Sequence, residues 1–541
     1  MILSYSNQMR EIDKQAIDER AIAGVELMSN AAEHIAAAAL EHIPMGGCVA
    51  AICGTGNNGG DGIGAAAYMM EKGVPVRVFL VGDIEKLTPD SKEMLERYVE
   101  NGGTPERFSE SESVDDYLSG CDVIIDAMFG IGLNSDIQGD ALTATKIVNA
   151  SKAFVISADI PSGVHADTGA ILGEAIKADM TVTFTLAKPG HFIEPGCTRC
   201  GELRVCDIGI PRDIINSLSE KQTESKPSAT SGNLSTHEAA QQIEDSQGYS
   251  NSASVHAIMP GDVVLPQRRL NTHKGDYGRC LIISGSVGYT GAPALCARSA
   301  TRMGAGLVFL GVPESIYGIM ATKLDEEMPF PLPSDDAGKL TIGAAEELIR
   351  RSKECDTILI GPGLGRSSEV SELVISLVLK AKVPVILDAD GLNAISGNLS
   401  VISEAACPVI LTPHVGEFLR LGGDLSRGDR IGAALSFSKQ HGCVLVLKGH
   451  RTIIAHPDGT AYINTTGGPA MAKGGSGDVL AGMVAALVGQ KIPLKDAVKA
   501  AVFIHGLAGD LCAIEFGEVS VTAGDIISML PKAILSLHRR S

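Results

Sequence analysis

Asn464-Thr465-Thr466-Gly467-Gly468-Pro469-Ala470-Met471-Ala472-Lys473-Gly474-Gly475-Ser476-Gly477-Asp478-Val479-Leu480-Ala481-Gly482 is the stretch whose reading decides the fold. A β-rich segment feeds into it, and an apolar helix leaves it near Asp478. Gly474 to Gly477 carry almost no side chain, so consecutive backbone N–H groups can converge on an anion at the helix N-terminus. That is a phosphate cradle. A carboxylate beside a site for phosphate is repulsive unless it takes a proton from an attacking hydroxyl, which makes Asp478 a candidate base. An N-capping aspartate on a glycine-rich turn is the plain alternative.

Upstream of this stretch, Asp458-Gly459 marks a hairpin turn after a strand over 444–448. Short apolar runs at 279–284, 306–312, 357–360, 383–387 and 409–411 read as buried strands, each trailed by a turn. The turns are distinctive: Gly285 to Pro293, Gly361-Pro362-Gly363-Leu364-Gly365, Asp388-Ala389-Asp390-Gly391-Leu392-Asn393, and Thr412-Pro413-His414-Val415-Gly416-Glu417. Helices are predicted over 294–303, 478–488, 495–516 and 523–537. Alternation of this kind gives a parallel α/β sheet.

The N-terminal half repeats the class with different chemistry. Residues 8–40 read as two helices. A strand at 48–53 then meets Gly54-Thr55-Gly56-Asn57-Asn58-Gly59-Gly60-Asp61-Gly62, a helix to about Lys72 follows, and 74–81 is the next strand. Gly54, Gly56 and Gly59 satisfy the dinucleotide-type spacing, a weak signal on its own. The Asn-Asn-Gly-Gly-Asp insertion is more specific, because amide and carboxylate oxygens in a tight turn suit a cation or sugar hydroxyls as well as phosphate. Strands at 123–126 and 154–159 lead into Ala127 to Leu133 and Ile160 to Val164. Ligands bind outside the carboxyl ends of strands in an open parallel sheet, so Asn58, Asp126, Asp159 and Ser162 are expected to converge there.

Residues 217–254 are rich in Ser, Gln, Glu, Thr and Asn, the composition of a solvated linker, with a helical turn expected around His237 to Ile243. The expected division is a domain over 1–215, a polar linker over 216–255 and a second domain over 256–541. The net charge of −19 argues against a nucleic-acid or anionic-membrane surface. No apolar run reaches about 18 residues without a polar break, and the N-terminus has no basic, hydrophobic leader, so a soluble cytoplasmic protein is expected. The 12 cysteines fall mostly inside predicted elements and read as reduced. Cys197 and Cys200 form a lone C-x-x-C without a second pair to complete a zinc site. A homo-oligomer is compatible with the sequence.

The glycine-rich turn ending in Asp478 resembles the ribokinase-like superfamily. Six blocks in order, His273 to Gly278, Tyr289 to Ala292, Gly361 to Gly365, Thr412 to His414, Lys448-Gly449 and Gly474 to Asp478, resemble the ADP-dependent NAD(P)H-hydrate dehydratases. In the first half, Asn57 to Gly62, Asp126 to Gly132 and Asp159 to Gly163 resemble the NAD(P)H-hydrate epimerases. Ser29 and Ala32 depart from that family, which usually has Glu and Gly there. The fold implied is a Rossmann-like three-layer αβα domain followed by a ribokinase-like αβα domain.

That resemblance implies a bifunctional enzyme acting on the hydrated cofactors NADHX and NADPHX, with ADP as co-substrate and Mg2+ accompanying the nucleotide. Asp478 would deprotonate the substrate hydroxyl. Lys448, Gly449, His450, Arg451, Thr452 and Gly477 would contact the nucleotide, and Ala292, Gly365 and His414 the hydrated cofactor. His414 also reads as a helix cap. In the epimerase half, Asn58, Asp126 and Ser162 would hold potassium through hard oxygen ligands. Asn57, Asn58, Gly59, Gly60 and Asp61, the loop Gly130, Ile131, Gly132, Leu133, Asn134, Ser135 and Asp136, and Asp159 would hold substrate, with Asp159 the acid/base. Lys188 reads as a weaker candidate or a plain surface cation. The competing readings are a ribokinase-like small-molecule kinase and a non-catalytic N-terminal binding scaffold.

Overall fold

A computed structural model describes residues 1–216 and 253–538. The described residues form two compact units, one from Ile2 to Val255 and one from His256 onward. The expected helical turn near His237 to Ile243 lies outside the described residues.

The first unit is built on a seven-stranded sheet. From edge to edge its strands are Glu106–Arg107, Val76–Leu80, Val49–Cys53, Val123–Ala127, Phe154–Ala158, Met180–Phe184 and Glu202–Cys206. Every neighbouring pair is parallel. Parallel strands are covered on both faces, which is why the central ones are continuous apolar runs. Helices Ser6–Arg20 and Gly24–Leu40 contribute Met9, Ile12, Leu27, Met28 and Ile35 to one core layer. Ser29 and Ala32 fit this packing: the Ser29 hydroxyl accepts a hydrogen bond from Arg97 at 2.8 Å, and Ala32 is buried.

The second unit holds a sheet in which Thr460–Ile463, Ile453–Ala455, Val444–Leu447, Val409–Leu411, Val385–Leu387, Thr357–Ile360, Arg279–Ile283, Leu307–Pro313 and Met328–Leu332 follow one another. The first two pairings are antiparallel, the first of them across the Asp458-Gly459 turn, and the rest are parallel. Helices Gly291–Arg302, Ser476–Gly489, Leu494–Phe516 and Ala523–His538 supply the core against one face. Ser476–Gly489 carries no charge after Asp478, and nearly all of it is buried. Leu494–Phe516 is long and apolar enough to cross a membrane, yet 67% of its apolar window is buried inside the protein. It is a core helix.

Two sequence expectations shift. The helix after the first glycine-rich turn starts at Asn57, so Asn57 to Gly62 form its opening turns rather than a loop. The second glycine-rich turn also enters its helix early: Ser476 is the first helical residue and Asp478 the third. Strand Met328–Leu332 escaped the sequence reading because Pro329 and Pro331 argue against a strand; it sits at the sheet edge, where proline is tolerated.

Candidate active sites

At the carboxyl ends of the first sheet lies a cavity of about 760 Å³. Its wall includes Asn57, Asn58 and Asp61 from the helix start, Gly130 to Ser135 from the loop after strand Val123–Ala127, Asp159, and Lys188. Gly59 and Gly60 do not line it. They let the helix press against its surroundings, since a Cβ on Gly59 would stand 1.9 Å from the Gly54 carbonyl oxygen. Asp136 also lies outside the wall.

Asp159 follows its strand with a φ of 63°, a left-handed conformation rare for a residue with a side chain. Its carboxylate pairs with the Lys188 ammonium and accepts a hydrogen bond from the Thr183 hydroxyl at 3.0 Å. Lys188 is buried, which overturns its reading as a surface cation. It also donates to Thr183 at 2.8 Å. His191 Nδ1 accepts from the Lys188 amide at 3.0 Å, leaving Nε2–H to donate to the Asp159 carbonyl at 2.8 Å. Burial and the Lys188 charge hold His191 near a pKa of about 4, so it stays neutral. Burial pushes the Asp159 carboxyl up, but Lys188, His191 and Thr183 together hold it below the ordinary value. Asp61 is driven well above the usual range by burial and by Asp159 and Asp13; Asp13 is raised to about 6, chiefly by burial.

Asp126 and Ser162 are joined directly. The Ser162 hydroxyl donates to Asp126 Oδ1 at 2.6 Å and its amide to Oδ2 at 2.9 Å, while Ser157 donates to Oδ2 at 2.7 Å. Burial raises the Asp126 carboxyl against these donors. The Asn58 side-chain amide is buried at both ends with no hydrogen-bond partner. A Cβ placed on Gly130 would lie 3.0 Å from its oxygen.

In the second unit Lys448 is the hub. Its ammonium donates to Asp388 at 2.6 Å and lies 3.9 Å from Glu417, and a Cβ on Gly477 would stand 3.4 Å from it. Burial works against that charge, but Asp388, Glu417 and Asp478 raise its pKa. Thr412 donates to the same Asp388 oxygen at 2.8 Å. Asp478 is raised to about 6 by burial and by Asp388, with Lys448 opposing. Gly475 has a φ of 92°, the left-handed turn that brings Ser476, Gly477 and Asp478 onto the helix head.

His414 caps helix Val415–Arg420, its Nδ1 accepting from the Glu417 amide at 3.2 Å, while Glu417 returns a bond to the His414 amide at 2.8 Å. The ring is exposed, and its Nε2 lies 3.5 Å from Glu417. Ala292 opens helix Gly291–Arg302 near Gly363, and the Gly365 amide donates to Asp390 at 2.9 Å. Arg451 adopts a φ of 57° and donates to the Thr465 carbonyl at 2.5 Å; Thr452 donates to the Gly449 carbonyl at 3.0 Å. Arg430 donates to the His450 carbonyl at 3.4 Å.

Sequence reasoning gave no role to Asp388, Glu417, Asp13, Thr183 or His191. His414 and Glu417 stand at capping-box spacing, a signal that was available. Asp13 has no local signature at all.

An open parallel sheet with a cavity carrying carboxyl and amide groups at its strand ends, and a mixed sheet with a glycine-headed helix carrying a carboxylate beside a partly buried lysine, define a two-part nucleotide-handling α/β enzyme. Residues 280–532 match the family model described as NAD(P)H-hydrate dehydratase, and residues 24–190 that described as YjeF-related protein N-terminus. The bifunctional NAD(P)H-hydrate repair enzyme Nnr of Thermofilum pendens is 38% identical, covering 99% of this chain and 97% of its own length. That of Moorella thermoacetica is 36% identical with the same coverage, 99% and 97%. An ADP/ATP-dependent NAD(P)H-hydrate dehydratase from Bacillus subtilis, co-crystallised with ATP/Mg2+, is 32% identical over 52% of this chain and 99% of that one, with a TM-score of 0.46. The chain belongs to the bifunctional NAD(P)H-hydrate repair enzyme family, and it is an enzyme with a dehydratase half and an epimerase half.

Proposed function

We propose that the second domain dehydrates the S form of NADHX and NADPHX at the expense of ADP, and that the first interconverts the R and S forms. The observation that carries the first assignment is the Asp478 carboxylate at the head of a glycine-fronted helix beside Lys448. Hydroxide is a poor leaving group from C6 of the hydrated ring. Asp478 takes the proton of that hydroxyl as it attacks the terminal phosphoryl group, and the Gly475 and Gly477 amides meet the charge on the transferred group. The ring nitrogen then expels phosphate, giving NAD(P)H, AMP and phosphate. Lys448 lies toward the nucleotide phosphates, held in place by Asp388 and Glu417. Gly449, His450, Arg451 and Thr452 continue that nucleotide contact, with Mg2+ accompanying the nucleotide. Ala292, Gly365 and the outward edge of His414 receive the hydrated ring.

In the first domain the substrate lies against Asn57, Asn58 and Asp61 and the loop Gly130 to Ser135, with Asp159 as the acid/base. A potassium ion fits the donor set Asn58, Asp126 and Ser162. The Asn58 amide oxygen has no hydrogen-bond partner, and Asp126 and Ser162 offer further buried oxygens, a donor chemistry that suits a hard monovalent cation. When bound, it would supply positive charge that offsets anionic groups at the site. The setting is the cytoplasm, where these cofactors are used.

Recovery of NADH absorbance from a racemic hydrate mixture, with potassium and either ADP or ATP, tests both halves. Complete recovery supports both activities. A plateau near half leaves only the dehydratase; no recovery with either nucleotide overturns the reading.

A further inference from the structure

The epimerase reading uses Asp159 but leaves another carboxyl on the cavity wall without a task. Asp13 lies on helix Ser6–Arg20, where Met9, Arg10, Asp13 and Ile17 form one stripe along the cavity. This helix is pinned. The Ser6 amide and hydroxyl both donate to Asp167, at 2.7 and 2.8 Å, and Met9, Ile12 and Ala16 are buried beneath it. Asp13 comes to the cavity from this helix, Asp61 from helix Asn57–Glu71 and Asp159 from the end of its strand.

Interchanging R and S forms at C6 breaks a C–O bond on one face of the ring and makes one on the other. The leaving oxygen needs a proton, and the incoming water must lose one. A single carboxyl does not stand on both faces of a planar ring, so the chemistry calls for two, in opposite protonation states. Lys188 and Thr183 hold Asp159 as the ionised member. Burial, Asp159 and Asp13 push the Asp61 carboxyl well above the ordinary range, and burial raises that of Asp13 to about 6.

We propose that Asp13 is a second catalytic residue of the epimerase, serving the ring face opposite Asp159. This rests on the epimerase reading of the domain. The N1 electron pair moves in to form N1=C6 as the C6–O bond breaks, and the leaving oxygen takes the Asp13 proton to depart as water. Water then adds to C6 from the other face, the pair returns to N1, and the added water's proton passes to Asp159. The net change is one proton moved from Asp13 to Asp159, and the reverse reaction uses the two groups exchanged. The charged or titratable groups around Asp13 are Arg10 on its own helix, Asp61, Asp90 from helix Pro89–Glu100, and the pair Asp159 and Lys188.

The test is epimer exchange of the NADH hydrate by the full-length chain without nucleotide, read by chiral separation, for wild type, Asp13→Asn and Asp13→Glu. The expected result for Asp13→Asn is a kcat lower by on the order of 100-fold or more, with KM changed less than about threefold. ADP-dependent dehydration of the pure S form stays unchanged, and Asp13→Glu restores exchange to within about tenfold of wild type. Wild-type exchange slows as pH rises through about 6, and this limb is missing from whatever rate Asp13→Asn retains. An Asp13→Asn kcat above about a third of wild type overturns the proposal, as does an Asp13→Glu variant that melts normally and is equally inactive. Should Asp13→Asn fail to fold, Asp13→Glu decides by the same criteria. A wild type without exchange overturns the epimerase reading itself.

Discussion

Lys188 and Asp159 form an ion pair almost sealed from water, with side chains 2% and 11% exposed. Such a pair contributes little net stability over an apolar pair, but removing one partner leaves a buried charge alone. Lys188→Met is therefore expected to lower the stability of the first domain by about 3–5 kcal/mol, read as a lower urea midpoint. It also lets the Asp159 carboxyl rise, since burial no longer meets an opposing charge. Epimer exchange should fall with it, while S-form dehydration continues.

Asp159→Asn keeps the shape of the side chain and removes its basicity. Epimer exchange should drop by on the order of 100-fold or more, with dehydration of the S form intact. Loss of both activities would count against a local role and for a general folding defect.

Asp478→Asn should lower dehydration by about 100- to 10,000-fold while ADP still binds, measured by nucleotide titration of the variant. Near-normal turnover would remove Asp478 from the mechanism.

The acid limb of dehydration follows from the same residue. Asp478 acts as a base only when ionised, and burial together with Asp388 places its pKa at about 6. Dehydration kcat/KM should hold above that value and fall about tenfold per unit as pH drops below it. Asp388→Asn removes the neighbouring negative charge, so the limb should move to lower pH.

Gly475→Ala asks an L-residue to hold a φ of 92° and places a Cβ 2.6 Å from Leu295. The backbone strain alone costs about 1–2 kcal/mol. The variant should show reduced dehydration with the epimerase untouched, measured side by side on separated epimers.

Much of this architecture was readable in the residues, because buried parallel strands announce themselves as short apolar runs and their turns carry Gly, Asp and Asn. Thr357–Ile360 and Val409–Leu411 were assigned to the residue. Edge strands were harder: Glu202–Cys206 is half-exposed and lacks the apolar run that burial imposes. Helix starts were misjudged at both glycine-rich turns, since glycine reads as loop even where it opens a helix. The candidate residues with local signatures, Asn57 to Asp61 and Gly475 to Asp478, could be singled out from the chain. Residues whose meaning depends on a distant partner were harder to weigh. Lys188 looks like any surface lysine until Asp159, 29 positions away, is placed against it, and Asp13 looks like one more polar residue of an amphipathic helix.

Helix Ser476–Gly489 joins the glycine-rich head, where we place phosphoryl transfer, to the apolar core of the second domain. Nothing at Gly475 to Asp478 can come apart without disturbing that interior, so loss of dehydration on heating should coincide with melting of the domain. The epimerase cavity is walled by helix Ser6–Arg20, which lies on the surface with Arg10, Glu11 and Asp18 to Arg20 exposed, held by Met9, Ile12 and Ala16 in the core, by Ser6 on Asp167 and by Arg20 on Asp213. Amide exchange along that helix should outpace exchange in the strands beneath it. A cell warmed toward its limit would then keep the ability to restore one epimer after it had lost the means to interconvert the two.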